Sequence, residues 1–217
     1  MKKLIVVGAG GLAREVKFLV ETINSIESLY DFQGFVVSDL SQIHATDSEK
    51  EIIGDLSYFN KSDEEVAVAI GIGTPSARLK IGNQLLKEHP NLLFPSLIHP
   101  NVTYDKTSCK IEPGTVICAS CALTVNIQIK QFAYLNLCCT VGHETVIGPG
   151  CVLNPTVNVS GGVNIGAGVL VGTGAQILQY INVGENAIVG SGACVVKDVE
   201  PGITVVGIPA KPLVRKS

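Results

Sequence analysis

The sequence predicts an α/β domain followed by a parallel β-helix of hexapeptide repeats, and three observations carry that reading. Every sixth residue from Ile111 to Val195 is aliphatic, fifteen positions without a break. Four residues after each comes a small or β-branched residue, from Thr115 and Cys121 through to Ala193 and Val199. Self-similarity at a fixed period marks a solenoid, whose units bury their apolar rows only by stacking on one another. The second observation is Leu4 to Val7, a short apolar strand followed at once by Gly8-Ala9-Gly10-Gly11-Leu12-Ala13. The third is the alternation of strand-like and helix-like segments that ends near residue 95, which implies a small parallel sheet flanked by helices.

A chain of 217 residues is long enough for a real core and fits two domains, placed here at 1–95 and 96–217. The acidity lies in the first, which carries 9 Lys/Arg against 13 Asp/Glu, while the second carries 7 against 6. No basic field marks a nucleic-acid face. No stretch approaches the roughly 20 apolar residues of a membrane span. Arg14, Glu15 and Lys17 interrupt the first apolar run, which therefore does not read as a signal peptide, and the expected location is the cytoplasm. Seven cysteines include Cys118-Ala119-Ser120-Cys121 and Cys138-Cys139, but Cys121, Cys139 and Cys151 fall on inward small positions of the repeat. Burial as small apolar residues explains them, and neither a metal nor a disulfide is expected.

In order along the chain, the glycine turn opens a helix running to about Ser25, and Phe32 to Val37 makes a second strand ending at Ser38-Asp39. Residues 40–51 read as a polar loop. Ile52 to Leu56 precedes a short helix, and Val66 to Ile72 is another buried strand. Thr74 then takes the N-cap and Pro75 the first turn of a helix ending at about Glu88, before Pro90. This is half of a dinucleotide-binding, Rossmann-like fold, with room for one nucleotide. Its glycine turn can present backbone N–H groups to a phosphate at a helix N-terminus, although a turn needed only for tight packing would look the same. Asp39 is placed for sugar hydroxyls or is an ordinary solvated strand end. Phe94 to Pro100 connects the two parts. Residues 102–110 miss the hexad register and read as an irregular first coil. Three hexads make one triangular coil, so 111–200 supplies five. Glycines following the aliphatic residues, as in Val141-Gly142 and Ile165-Gly166, mark turns that need freedom from Cβ strain. After Pro201 the tail leaves the repeat and closes the far end.

Inward slots of the repeat are apolar, so chemistry belongs to its turns. Of the four histidines, His44, His89, His99 and His143, only His143 lies inside the solenoid, with Glu144 beside it. Histidine can take a proton near neutral pH, and an adjacent carboxylate can fix its tautomer. On the dipeptide alone a solvated turn is the simpler account.

The whole chain resembles the bacterial sugar acetyltransferases that include sialic acid O-acetyltransferase-like proteins and UDP-4-amino-sugar and perosamine N-acetyltransferases. The resemblance rests on the glycine-rich unit, the connector Leu97-Ile98-His99-Pro100, the hexads with Asn136 seven residues before His143-Glu144, and the tail Val206-Gly207-Ile208-Pro209-Ala210-Lys211. It implies a left-handed β-helix, a homotrimer, and acetyl-CoA as co-substrate in a groove between neighbouring solenoids. It further implies His143 as general base, Glu144 as its orienting partner and Asn136 in the acceptor pocket. Gly10, Gly11, Leu12, Ser38, Asp39 and Gly71 match the nucleotide-sugar pocket, and Val152, Thr173 and Ser191 match coenzyme contacts. Gly161, one coil from His143, is expected to leave space for the thioester. Thr173 and Ser191 are 18 residues apart and stack on one corner. Leu12 and Val152 stand where N-acetylating members can place histidines, which leaves sugar O-acetylation as an alternative to amino-group transfer. In either case backbone N–H groups near the turn would stabilise the oxyanion. A non-catalytic sugar-nucleotide-binding scaffold is the alternative outside enzymology.

Overall fold

The computed structural model describes residues 1–42, 49–61 and 65–213. Residues 43–48 of the polar segment, with His44, lie outside them. Strands β1 (Lys2–Val7), β2 (Tyr30–Val37), β3 (Ile52–Asp55), β4 (Val66–Ile70) and β5 (Leu92–Leu93) form one parallel sheet in the order β3-β2-β1-β4-β5. Leu4 to Val7 and Val66 to Ile70 are buried throughout, as central parallel strands covered on both faces must be. Helices α1 (Gly11–Ile26) and α2 (Pro75–Glu88) flank the sheet. The expected helix after β3 is instead a 3₁₀ turn, Leu56–Lys61, and further 3₁₀ turns, Leu40–Gln42 and Glu49–Glu51, border the polar loop. Thr74 occupies the N-cap of α2 but makes no side-chain capping bond. The short strand β5 has no alternation to reveal it; pairing with β4 creates it.

From Leu97 the chain winds as a left-handed triangular solenoid. Each coil contributes one two-residue strand to each of three faces. The first face runs from Leu97–Ile98 to Thr204–Val206, the second from Ala122–Leu123 to Cys194–Val195, and the third from Lys110–Ile111 to Asn182–Val183. All fourteen aliphatic hexad positions from Ile117 to Val195, and all of the small positions four residues after the aliphatic ones, are buried. The first coil starts earlier than the hexads reveal. Leu97 pairs with Val116 and Thr103 with Ala122, both 19 residues on, whereas Lys110 pairs with Gln128 at 18. One extra residue between Thr103 and Lys110 hides this coil from a six-residue count. The tail also stays in the repeat longer than expected: Val205 pairs with Val189 and is buried, and only then does the chain turn back so that Lys211–Pro212 runs antiparallel.

The turn glycines need a different explanation from the one their sequence position suggests. Left-handed backbone recurs every six residues, at Gly114, Ser120, Asn126, Phe132 and onward, two residues after the glycine slots rather than at them. At those slots the next coil is too close for a side chain. A Cβ on Gly142 would stand 2.5 Å from Gly161 N, and one on Gly148 would stand 2.6 Å from Gly166 C.

Outward residues differ among the faces. On the first face Val116, Tyr134 and Val152 are buried, while Ile188, further along, is 40% exposed. They are buried because α1, with Ala13, Val16, Leu19 and Val20, joins Leu97, Val116, Tyr134 and Val152 in one apolar cluster. The N-terminal domain therefore sits on the first face over its early coils. Arg78 of α2 locks the junction. Its Nε donates to Phe132 O at 2.5 Å, its Nη1 to Ile70 O at 2.5 Å, and its guanidinium lies 5.1 Å from the Tyr134 ring centre. Burial lowers its pKa to about 10, which leaves it charged at neutral pH. Arg78→Met keeps most of the bulk but strands buried carbonyls, so it should lower unfolding stability in urea by about 2–4 kcal/mol. A loss below about 1 kcal/mol would mean that the carbonyls find other donors.

Candidate active site

His143 sits on the corner between the second and third faces, directly after the strand Thr140–Val141. Its Nδ1 is bonded to Glu144 Oε2, and Asn126 Nδ2, one coil earlier, donates to Glu144 Oε1 at 3.3 Å. The bonds from His143 and then Asn126 hold the Glu144 carboxyl below its ordinary range. Glu144 is therefore an ionised acceptor. With Nδ1–H committed to it, Nε2 is the nitrogen that can take a proton. The reach is possible because Glu144 has left-handed backbone, φ 55°, which swings its side chain beside the ring of its predecessor.

The imidazole lies over Gly161. A Cβ there would stand 2.5 Å from both Cε1 and Nε2 of His143. This corrects the expected role of Gly161, since the space above it is occupied by the base itself and not left for a thioester. Val152 is 2% exposed and packed under the N-terminal domain, which leaves its backbone, not its side chain, to meet a coenzyme. Thr173 and Ser191 are exposed and stacked, with Gly192 N donating to Thr173 O at 2.8 Å. They lie on the corner between the first and second faces. Asn136 is on that corner too, 7% exposed, its Oδ1 taken by Leu137 N at 2.8 Å. It borders a cavity of about 120 Å³ lined also by Glu15, Phe18, His99 and Leu137. Asn136 and His143 thus occupy different corners of one chain and do not meet within it.

The glycine turn lies at the carboxyl ends of β1 and β4, where an open α/β sheet binds its ligand. Gly8 has φ +110°, and a Cβ there would stand 2.7 Å from Gly71 O. Gly10 takes the N-cap of α1 and Gly11 its first position, exposed, where the nearest group to an added Cβ would be Arg14 Nη2 at 3.9 Å. Gly71 is buried, and a Cβ on it would stand 2.7 Å from Ala13 Cα. Its lack of a side chain lets α1 pack this closely against the strand end. Leu12 is half-buried against the same cluster, Ser38 is exposed, and Asp39 Oδ1 accepts from the N–H and hydroxyl of Ser41 at 2.8 and 2.7 Å. A larger, mainly apolar cavity of about 600 Å³, lined by Tyr30, Leu92, Phe94 and Pro113 among others, opens at the amino ends of the strands. It lies at the wrong edge for a nucleotide.

The face that carries the N-terminal domain is opposite the corner that carries His143. The glycine turn and His143 of one chain therefore lie on different sides of its solenoid.

The buried cysteines are thiols. Burial pushes Cys118 and Cys151 up to about 12, and Cys121 is raised by its bond with Cys139 and by burial. Among the described residues no group of three or more His, Cys, Asp or Glu could hold a metal ion, and all seven cysteines are unpaired.

This fold, with a His-Glu pair on a solenoid corner, defines a left-handed β-helix acetyltransferase that carries a Rossmann-like N-terminal domain. Residues 3–85 match the family described as the PglD N-terminal domain. WeeI from Acinetobacter baumannii AYE is 30% identical over 98% of this chain and 100% of its own, with a TM-score of 0.82. The acetyltransferase domain of PglB from Neisseria gonorrhoeae FA1090 in complex with acetyl coenzyme A is 29% identical over 98% and 99%, with a TM-score of 0.83. PerB from Caulobacter crescentus in complex with CoA and GDP-perosamine shares the fold, at 23% identity over 99% and 98% and a TM-score of 0.84. No curated protein sequence matches the chain. The protein belongs to the bacterial sugar acetyltransferase family with a left-handed β-helix.

Proposed function

We propose that the protein transfers the acetyl group of acetyl-CoA to an amino group of a nucleotide-linked sugar, of the UDP-4-amino-sugar type, with His143 as general base. The observation that carries this is the His143-Glu144-Asn126 chain, which fixes the imidazole with Nε2 as the basic nitrogen. As the amine attacks the thioester carbon, Nε2 takes its proton, and collapse of the tetrahedral intermediate expels the CoA thiolate. The PglB domain bound to acetyl coenzyme A and PerB bound to CoA and GDP-perosamine support the choice of donor and acceptor class.

The site is shared between chains of a homotrimer. The glycine turn, Asn136, Thr173 and Ser191 of one protomer would face His143, Glu144 and Gly161 of the next, and cyclic closure repeats the pair three times. Thr173 and Ser191 would meet the coenzyme along exposed backbone, and Gly10, Gly11, Leu12, Ser38 and Asp39 would hold the nucleotide sugar. Among the described residues no helix is long and apolar enough to cross a membrane. Free thiols and an acetyl-CoA donor suit the cytoplasm.

Acetyl-CoA offered with a panel of UDP-, GDP- and CMP-linked amino sugars should release free thiol with at least one of them. Release with sialic acid alone would move the reading to O-acetylation, and CoA-independent binding of a sugar nucleotide without turnover would make the protein a scaffold. Light scattering should give a trimer mass, and a fully active monomer would refute the shared site.

A further inference from the structure

Tyr180 is an exposed aromatic ring on the floor of the proposed site. His143 and Tyr180 come from the coils on either side of Gly161-Gly162, and both rings lie down on that pair. A Cβ on Gly161 would meet the imidazole, and one on Gly162 would run into Cδ1 of Tyr180. The Tyr180 N–H donates to Gly161 O at 3.0 Å, which fixes the residue to the same glycine that carries the base.

The residue is costly where it stands. Tyr180 has left-handed backbone, φ 58°, a conformation that disfavours a residue with a side chain. Phe132 is the other aromatic in this conformation, and packing explains it, because it is fully buried against Phe94 and α2. The Tyr180 side of the solenoid has no such cover, and the residue is 72% exposed.

The direction along the solenoid decides what the ring meets. The N-terminal domain covers the early coils, burying Val116, Tyr134 and Val152, so a nucleotide sugar reaches His143 from that side. Thr173 and Ser191 are on later coils, and Tyr180 is one coil beyond Gly162 on the same later side. Resting on the shared-site reading above, we propose that Tyr180 is a coenzyme-binding residue whose ring packs against the thioester end of the pantetheine arm, opposite Thr173 and Ser191 of the neighbouring protomer. The apolar face of a tyrosine suits an extended arm of methylene and amide groups.

The backbone conformation supplies a clean test. Glycine is the residue best suited to positive φ, so Tyr180→Gly removes the ring without straining the fold. Titration calorimetry of the full-length protein with CoA should show Kd weakened by roughly tenfold in Tyr180→Gly and within about threefold of wild type in Tyr180→Phe. His143→Ala, measured alongside, should keep CoA binding while losing turnover. A Tyr180→Gly protein that binds CoA as wild type does, or a Tyr180→Phe protein as weak as Tyr180→Gly, would overturn the packing role while leaving the functional reading intact. Wild-type protein that binds no CoA would overturn that reading and this assignment with it.

Discussion

Replacing His143 with alanine should lower kcat by about 10²- to 10⁴-fold while leaving folding and trimer formation unchanged. The ring is a surface group whose side chain is 52% exposed, lying on Gly161 and bonded to Glu144, so its removal opens no cavity in the apolar core. What is lost, in the proposed mechanism, is the nitrogen that takes the amine proton. Measuring single-turnover acetyl transfer together with thermal unfolding separates the two effects. A fall in melting temperature that tracked the loss of rate would make His143 structural, and wild-type turnover would remove it from the mechanism. Glu144→Gln should have a smaller effect. It keeps an acceptor for Nδ1–H but removes the negative charge that favours the imidazolium. Single-turnover rates should place it between wild type and His143→Ala, and a loss as large as that of His143→Ala would give Glu144 more than an orienting role.

Two variants that are each inactive should restore activity when mixed. Gly11→Asp places a carboxylate at the first position of α1, where a Cβ meets nothing closer than 3.9 Å. The helix N-terminus accepts that charge, so the domain should fold, yet an anionic diphosphate is repelled. Chains carrying Gly11→Asp still supply a competent His143, and chains carrying His143→Ala still supply a competent nucleotide pocket. Co-refolded at equal amounts, they form trimers in which about a quarter of the interfaces join one good pocket to one good base. Thiol release should therefore recover to about a quarter of the wild-type rate per site. If pocket and base acted within one chain, every site would carry one defect and the mixture would stay inactive. This outcome tests the geometry that places the N-terminal domain on the first face and His143 on the opposite corner.

Most of the fold was legible before any coordinates, for a local reason. In a solenoid each unit contacts only its neighbours, so a six-residue rhythm in the chain becomes the three-dimensional repeat with little contribution from distant contacts. Where one extra residue breaks the rhythm, between Thr103 and Lys110, the hexads gave only an irregular first coil from residue 102, although that coil begins at Leu97 and its pairing is ordinary. The seat of the N-terminal domain was also written in the chain. Val116, Tyr134, Val152, Leu170 and Ile188 are apolar at outward positions of the first face, while the second face has Thr140, Asn158 and Gln176 there. Reading outward positions at a period of 18, rather than inward ones at 6, would have shown which face is covered.

The sequence by itself determined the two architectures, their order, the helix boundaries near Ile26 and Glu88, and His143-Glu144 as an adjacent pair with nowhere to hide in an apolar repeat. Only the tertiary structure decided what the glycines are for, because the room available to a Cβ depends on the coil or helix lying against it. It alone showed that Gly71 serves α1, that Gly161 carries an imidazole, and that Val152 is buried beneath the N-terminal domain. Arg78 and Phe132 belong to the same category: nothing local in either segment announces a contact 54 residues away. The corner on which a residue stands follows from its position within an 18-residue turn, but which corner faces the nucleotide domain is set by packing between domains. That packing puts the glycine turn and His143 on different sides of one chain, because α1 buries its apolar face against the solenoid face that is apolar on its outside.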